Sequence, residues 1–417
     1  MPFSSPARSD LPLEPPAPAA GSRTWRTRDV WAISLSAFFA DLGYQSVLAG
    51  LPLFMVLSLH TSIALYGLTM ALAFGGGSLL AYAGSRIGDR IGHRRLAIIG
   101  NSGIPLLALS ASIASIPAAV IFFCAGWWAR NLRTPSRRVM LTDATAEDVR
   151  TRAFGFLHGL DVGGGILAAV YMVGASAAGI AFRWVFIGTI APLAVSTFCL
   201  TLTSPSLGPP HRTRRQSGEG GSSAVPALPR RAATAILAAT VLFGFSSYSI
   251  GFPVLTAARS ANRTLTGLLA FLIFNTVSAA TGFIVPGHLG SSWRGRLLRL
   301  GTLGFLPTAA GAALIALASG IGLGYAAILV AVAVLGAALG IVETLEPSLI
   351  SVILPGGGSG FGMLSAFRSV GLFVGNLAMG LLYGLGPSWS YGYAAIVALS
   401  GAVILSATAM SLAGRRP

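Results

Sequence analysis

The sequence predicts an all-α polytopic membrane protein, with twelve transmembrane helices in two pseudo-symmetric six-helix bundles, and three observations predict it. Charged residues make up only 10% of the 417-residue chain and hydrophobic residues 54%, against about 25% charged in a soluble domain; mean hydropathy is +0.75. The apolar runs are long enough for the ~20 helical residues that a ~30 Å hydrocarbon core requires. They are also continuous, which excludes the ~10-residue alternating strands of a membrane barrel. Finally, the runs fall into two sets of six around a polar centre.

Taken in order, residues 1–29 are rich in proline and alanine with scattered arginines and have no apolar core. They predict a disordered cytosolic tail, not a cleaved signal. Helix windows at 30–57 and 64–85 follow, the first carrying Asp41 and Pro52. The stretch 84–95, G-S-R-I-G-D-R-I-G-H-R-R, is too charged for lipid and is expected as a turn outside it, before helix 3 at 96–116. Helix 4, 118–139, runs through Arg130 and Arg133; helices 5 and 6 take 152–178 and 183–202 and complete an N-terminal bundle, 30–202. Pro, Gly, Ser and Arg dominate 203–231, a flexible cytosolic linker. The second bundle, 232–413, has windows at 232–258, 264–287, 297–318, 326–354, 360–385 and 390–413, and a short cytosolic tail, 414–417, ends the chain. Phe154, Gly155, Leu157, Asp161 and Gly164 recur as Phe361, Gly362, Leu364, Arg368 and Gly371 at a constant offset of 207 residues, the trace of an internal repeat.

All 28 basic residues are arginines and the formal net charge is +16. In a soluble chain that excess would point to nucleic acid; here its placement carries the information. Arg8, Arg23, Arg26 and Arg28, the 84–95 turn, Arg137, Arg138, Arg150 and Arg152, the linker, Arg294, Arg296 and Arg299 fall on one side. The opposite loops hold Arg183, Arg259 and Arg263. The positive-inside rule then puts both termini and the linker in the cytoplasm, in a cytoplasmic (inner) membrane. Cys124 and Cys199 lie in apolar runs, so no disulfide framework is expected.

An ionised side chain in mid-helix costs at least about 2.5–3.5 kcal/mol on insertion scales. Asp41, Arg130, Arg133, Asp161, Glu343, Glu346 and Arg368 are therefore expected to face the bundle interior and find partners. Arg130 and Asp161 each lie roughly ten residues from the same end of helices 4 and 5, which at ~1.5 Å per residue is a similar depth. An ion pair between them is expected. Its mirror image, with signs exchanged, would join Arg368 of helix 11 to Glu343 and Glu346 of helix 10, whose spacing of three puts both on one face. Such pairs either break and re-form as the halves rock or only hold helices together. Asp41 is the most isolated acid, with Tyr44 and Gln45 on its face. Burial disfavours the charged form of a carboxyl and a nearby arginine favours it, so Asp41 suits proton coupling or substrate binding; the competing reading is a structural acid held by hydrogen bonds.

With glycines at Gly84, Gly88 and Gly92 around Asp89 and Arg90, then Arg94 and Arg95, the 84–95 stretch resembles the signature loop between helices 2 and 3 of the major facilitator superfamily. The likeness is to its bacterial 12-helix, drug- or metabolite-exporter-like members and covers 30–413. W-A-R-N-L-R, with Arg130 and Arg133, is similar to the helix 4 segment of proton-coupled exporters. The resemblance implies a secondary transporter working by alternating access, with no enzymatic activity, no cofactor and the proton gradient as energy source. It further implies that Asp89 meets the N-terminus of helix 11 at Gly360 as a latch on the outward-facing state, since unpaired amides and the helix dipole favour an anion there. The antiporter signature of helix 5 is not met, because G-L-D-V-G-G-G has no proline.

Proton-coupled export of small, partly apolar compounds is therefore expected, from a cavity lined by Asp41, Tyr44, Gln45, Arg130, Tyr248, Asn275 and Glu343. The alternatives are proton-coupled uptake of a small organic anion, bound by the cavity arginines, and a non-transporting receptor or scaffold. No phosphate-cradling loop, HExxH or Cys/His cluster occurs, and of five histidines His158 alone falls in a helix window, so neither ATP-driven transport nor a metal is expected. The expected partners are the lipid bilayer, a small-molecule substrate and protons, without nucleic acid, and the chain is expected to be a monomer.

Overall fold

The computed structural model describes residues 25–146, 149–208, 230–284, 293–353 and 358–413, with side chains except at 151, 230–233, 293–294, 347–353, 358–368 and 413. Every regular element among them is helical. The hydrocarbon core offers no water to unpaired backbone groups, so each segment must satisfy its own amides. Twelve rods result among the described residues. The first six are α1 (Arg28–Leu53, extended by a wider turn at Phe54–Ser58), α2 (Ile63–Ala71, Leu72–Gly76 and Gly77–Ile91), α3 (His93–Gly103, then a tighter Ile104–Ala111), α4 (Ile116–Asp143), α5 (Arg150–Ala177) and α6 (Phe182–Gly188 and Ile190–Thr201). The second six are α7 (Arg230–Phe245 and Gly251–Ala261), α8 (Thr264–Ile284), α9 (Trp293–Arg299, Leu300–Phe305 and Leu306–Ile321), α10 (Tyr325–Ile353), α11 (Gly358–Tyr383) and α12 (Pro387–Ala413).

Four details depart from the sequence expectation. The 84–95 stretch is not a loop: α2 runs to Ile91, α3 opens at His93, and Gly92 alone joins them at φ 96°, a conformation open to a residue without Cβ. α4 continues past the expected end at 139 to Asp143. α7 is interrupted at 246–250. Residues 203–208, expected to begin the linker, fold back onto the α2–α3 joint, where the Gly208 carbonyl accepts from the His93 amide at 2.8 Å and Arg94 donates to the Thr201 carbonyl at 2.8 Å. The rest of the expected linker (209–229) and most of the expected tails (1–24 and 414–417) lie outside the described residues.

The repeat read at an offset of 207 has a structural counterpart. Gly164 of α5 seats against the Phe38 carbonyl of α1, and Gly371 of α11 against Gly244 of α7, so equivalent helices meet at equivalent glycines. Away from the α2–α3 joint, one apolar core joins both halves, with Leu51, Tyr66 and Phe186 packing with Phe252, Leu268 and Tyr391. Here a Cβ on Gly67 would lie 2.6 Å from Gly380 Cα, a small-on-small crossing that lets two backbones touch. Tyr66 adds a hydroxyl contact to Ser249 at 3.0 Å across the same seam. On the joint side the core divides into two separate clusters, one around Ile33, Met140, Leu157 and Leu200 and the other around Ile236, Phe305, Val342 and Leu405. Among the described residues the shared core thus lies opposite the joint, while on the joint side the two clusters stay separate and His158 of α5 meets Phe283 of α8 across the halves, ring centroids 5.9 Å apart.

Candidate functional site

The site is built on one face of α4. Arg130, Arg133 and Arg137 are spaced by three and four residues, so their side chains stack along one stripe, and α1, α3 and α5 close around it. Arg130 lies over the rings of Tyr44 (4.5 Å) and Trp127 (4.8 Å), a cation–π seat that holds the guanidinium in an apolar setting. From there it donates to the Tyr44 hydroxyl at 3.1 Å. Tyr44 in turn donates to Asp41 Oδ1, so Asp41, 4% exposed, is one hydroxyl away from a cation.

Arg137 Nη2 donates to Asp161 Oδ2 at 3.0 Å. Gly164, one turn above Asp161, packs on Phe38 and Asp41; this close approach of α5 to α1 brings the Asp161 and Asp41 carboxyls within electrostatic range of each other. Each keeps one oxygen, Asp41 Oδ2 and Asp161 Oδ1, that is buried without a donor among the described residues. Arg133, 1% exposed, turns the other way and donates to Asn101 Oδ1 at 2.6 Å. Asn101 continues to Thr197 at 2.8 Å and Ser196 at 3.1 Å, and Ser196 to the Ser36 carbonyl at 2.6 Å. A neutral polar chain through α1, α3, α4 and α6 thereby solvates a buried charge.

This arrangement corrects the expected ion pair. Asp161 meets Arg137, not Arg130, because the ring pair of Tyr44 and Trp127 turns Arg130 toward α1 while Arg137 reaches up from the next turns. Arg137, read as a surface arginine, is 7% exposed; the stripe of arginines continuing past Pro135 was the signal that marked it. Glu346 is buried and Glu343 exposed, so their spacing of three does not give them one environment, and Glu343 lies within electrostatic range of Arg130 across the two halves. The Arg368 side chain of the expected mirror pair lies outside the described residues. Gln45 and Asn275, from different halves, each lie within 4.0 Å of where a Cβ on Gly165 would stand. Tyr248, in the interruption of α7, has a buried hydroxyl without a partner among the described residues.

At the α2–α3 joint, Gly84 faces the Leu132 carbonyl of α4 and Gly88 faces His93. Arg90 and Arg95 are exposed, whereas Arg94 binds the 201–203 backbone. Asp89 lies 3.1 Å from His93 Nε2, and His93 Nδ1 3.1 Å from Ser136 of α4. His93 is therefore a second histidine within a helix, buried as the hinge pin of the joint. The expected contact of Asp89 with the segment before Gly360 lies outside the described residues. Among the described residues no group of three His, Cys, Asp or Glu is placed to hold a metal.

The family model for the Major Facilitator Superfamily matches residues 33–357. No curated protein matches the sequence. Among solved structures, the chain is similar to a POT family transporter in complex with a thioalcohol-conjugated peptide, at 12% identity, with 92% of this chain and 96% of that one covered and a TM-score of 0.74. It is likewise similar to a D-xylose-proton symporter at 14% identity, with coverage of 92% and 97% and a TM-score of 0.72. For the nucleoside transporter NupG the identity is 12%, the coverage 92% and 99%, and the TM-score 0.66. These likenesses are of fold alone; joined to a family match that runs from α1 to the end of α10, they make the chain a member of the Major Facilitator Superfamily of membrane transporters.

Proposed function

We propose that this chain is a proton-coupled secondary transporter that moves small, partly apolar compounds out of the cell by alternating access, with both termini in the cytoplasm and the Asp41 region as the coupling site. The observation that carries this reading is Asp41 itself, enclosed in a helix bundle and one hydroxyl from Arg130. An acid so placed changes the charge of the site by one on losing a proton, and the neighbouring guanidinium steadies the carboxylate left behind. The similarity in fold to a D-xylose-proton symporter supports coupling to protons. On this topology the shared core lies on the side away from the cytoplasm, and an exported compound loads from the cytoplasmic side. Gln45 and Asn275 then supply polar contacts among apolar and aromatic walls.

A second reading, proton-coupled uptake of a small organic anion, is favoured by one feature. Arg130 Nε and Arg137 Nε and Nη1 are buried without acceptors among the described residues, and guanidinium groups bind carboxylate or phosphate by paired hydrogen bonds. The test is flux of a radiolabelled metabolite and drug panel into proteoliposomes with an imposed pH gradient of either sign. Export by exchange for protons predicts accumulation in acid-loaded vesicles, lost in Asp41→Asn. Accumulation in alkaline-loaded vesicles favours anion symport, and fluxes indifferent to the gradient overturn both.

A further inference from the structure

Asp41 of α1 and Asp161 of α5 flank the contact at Gly164, within electrostatic range of each other. Asp41 Oδ1 takes the Tyr44 hydroxyl and Asp161 Oδ2 takes Arg137. Asp41 Oδ2 and Asp161 Oδ1 are buried with no donor among the described residues, although a buried polar atom left without a partner is costly. The two groups are held together from outside: Gly164 leaves no Cβ between α5 and the backbone of Phe38, so the helices cannot separate there without losing their packing. Two carboxylates so placed repel strongly if both are ionised, whereas one hydrogen between them satisfies both orphaned oxygens at once.

We propose that Asp41 and Asp161 hold a single proton in common, with Asp41 Oδ2 donating to Asp161 Oδ1, and that Asp161 is the port through which this proton leaves and returns. This rests on the proton-coupled reading above and assigns its chemistry. Arg137 neutralises Asp161 directly, which leaves Asp41, with only a neutral hydroxyl on it, as the group that carries the hydrogen. Access is divided in the opposite sense. Asp41 is sealed at 4% exposure, while the Asp161 side chain is 25% exposed. In the release step the Asp41 O–H bond breaks, its electron pair stays on Asp41, and the proton passes to Asp161 Oδ1 and from there to water. Asp41 and Asp161 are then both anionic. Their repulsion favours movement of Asp41 toward Arg130, already one hydroxyl away, and loosens α1 from α5. Proton loss is thereby converted into a change of helix packing. The other charged groups facing the pair are Arg133 and Arg138 of α4, with Glu343 of α10 acting through Arg130.

The decisive measurement is infrared difference spectroscopy of the purified full chain in nanodiscs, titrated with pH in H2O and D2O, following the carbonyl stretch of protonated carboxyl groups. It needs no substrate, so its outcome is separate from that of the flux assay. The wild type is expected to show one such band near neutral pH, downshifted in D2O. Asp41→Asn and Asp161→Asn are each expected to abolish it, because the amide then donates to the remaining carboxylate. Asp161→Glu, which keeps an acid and guards against misfolding of the amide variants, is expected to retain the band at a shifted frequency. A band that survives unaltered in Asp161→Asn or Asp161→Glu would assign the proton to Asp41 alone and overturn the sharing. Absence of any band in the wild type would overturn it as well, even with proton-driven flux intact.

Discussion

Arg133 is the largest fully buried side chain among the described residues, and it shows how an interior charge is kept by neutral partners. Its guanidinium rests on Asn101, and Asn101 on Thr197 and Ser196, so the charge is spread over a hydrogen-bonded chain that ties four helices together. Hydrogen bonds to charged groups contribute roughly 1.5–3 kcal/mol each. Arg133→Leu removes the donor and leaves the Asn101 oxygen facing apolar atoms, so a loss of stability of about that size is expected, read from denaturant unfolding of helical content in detergent. Asn101→Leu in the same background should cost little more, because the two act as one unit. The sequence marked Arg133 as an interior charge but not its partner, since Asn101 sits in a helix whose other residues read only as apolar or small. Arg137 was legible in principle, being in phase with Arg130 and Arg133, but its place beside Arg138 near the expected end of helix 4 made that turn read as the membrane surface.

At the level of helices, glycine decides which rods touch. Gly164 lets α5 settle on the α1 backbone, Gly371 does the same for α11 on α7, and Gly155 has nothing within 4 Å of where its Cβ would be. Gly164→Val is therefore expected to separate α5 from α1 and abolish proton-driven flux, with Gly155→Val nearly silent; gradient-driven uptake in proteoliposomes at matched protein content compares them. The α2–α3 joint obeys the same rule. With Gly92 as a one-residue break, the two rods move as a bent unit pinned by His93 to Ser136 of α4. A Cβ on Gly88 would meet His93 Cε1 at 2.7 Å, so Gly88→Ala should unseat the pin and increase trypsin cleavage at Arg90 or Arg95, both exposed.

For the whole molecule, the seam opposite the joint is where the halves share a core. Gly67 on Gly380 and Tyr66 on Ser249 hold the halves together there, and the core is continuous across them. Gly380→Val should wedge this seam apart. Spin labels at Ile113 and Leu323, exposed on the loops at that end, are expected to move to longer distances in electron–electron resonance. Asp89→Asn should act in the opposite sense on the same label pair, depleting the long-distance population, if the acid latches the joint to helix 11 when that seam is open. Among the described residues Asp89 is engaged by His93.

Sequence alone determined the class, the number of crossings, the positions of most rods and, among the interior charges, Asp41, Arg133 and Glu346 as buried. Lipid forces this legibility: a spanning segment must be apolar, about 20 residues long and helical, and every charge inside it is conspicuous. The internal repeat was visible for the same reason, because close helix contact requires glycine at the same place in both halves. Tertiary structure alone decided the pairing. A guanidinium swings through several ångströms, and which acid it meets depends on rings and backbones contributed by helices distant in sequence. Asp161 thus belongs to Arg137 and to Asp41, and Arg130 to Tyr44 and Trp127. The charged 84–95 stretch, conspicuous in sequence as a loop, became two helices joined by one glycine, because its chain reversal needs only the backbone freedom of Gly92.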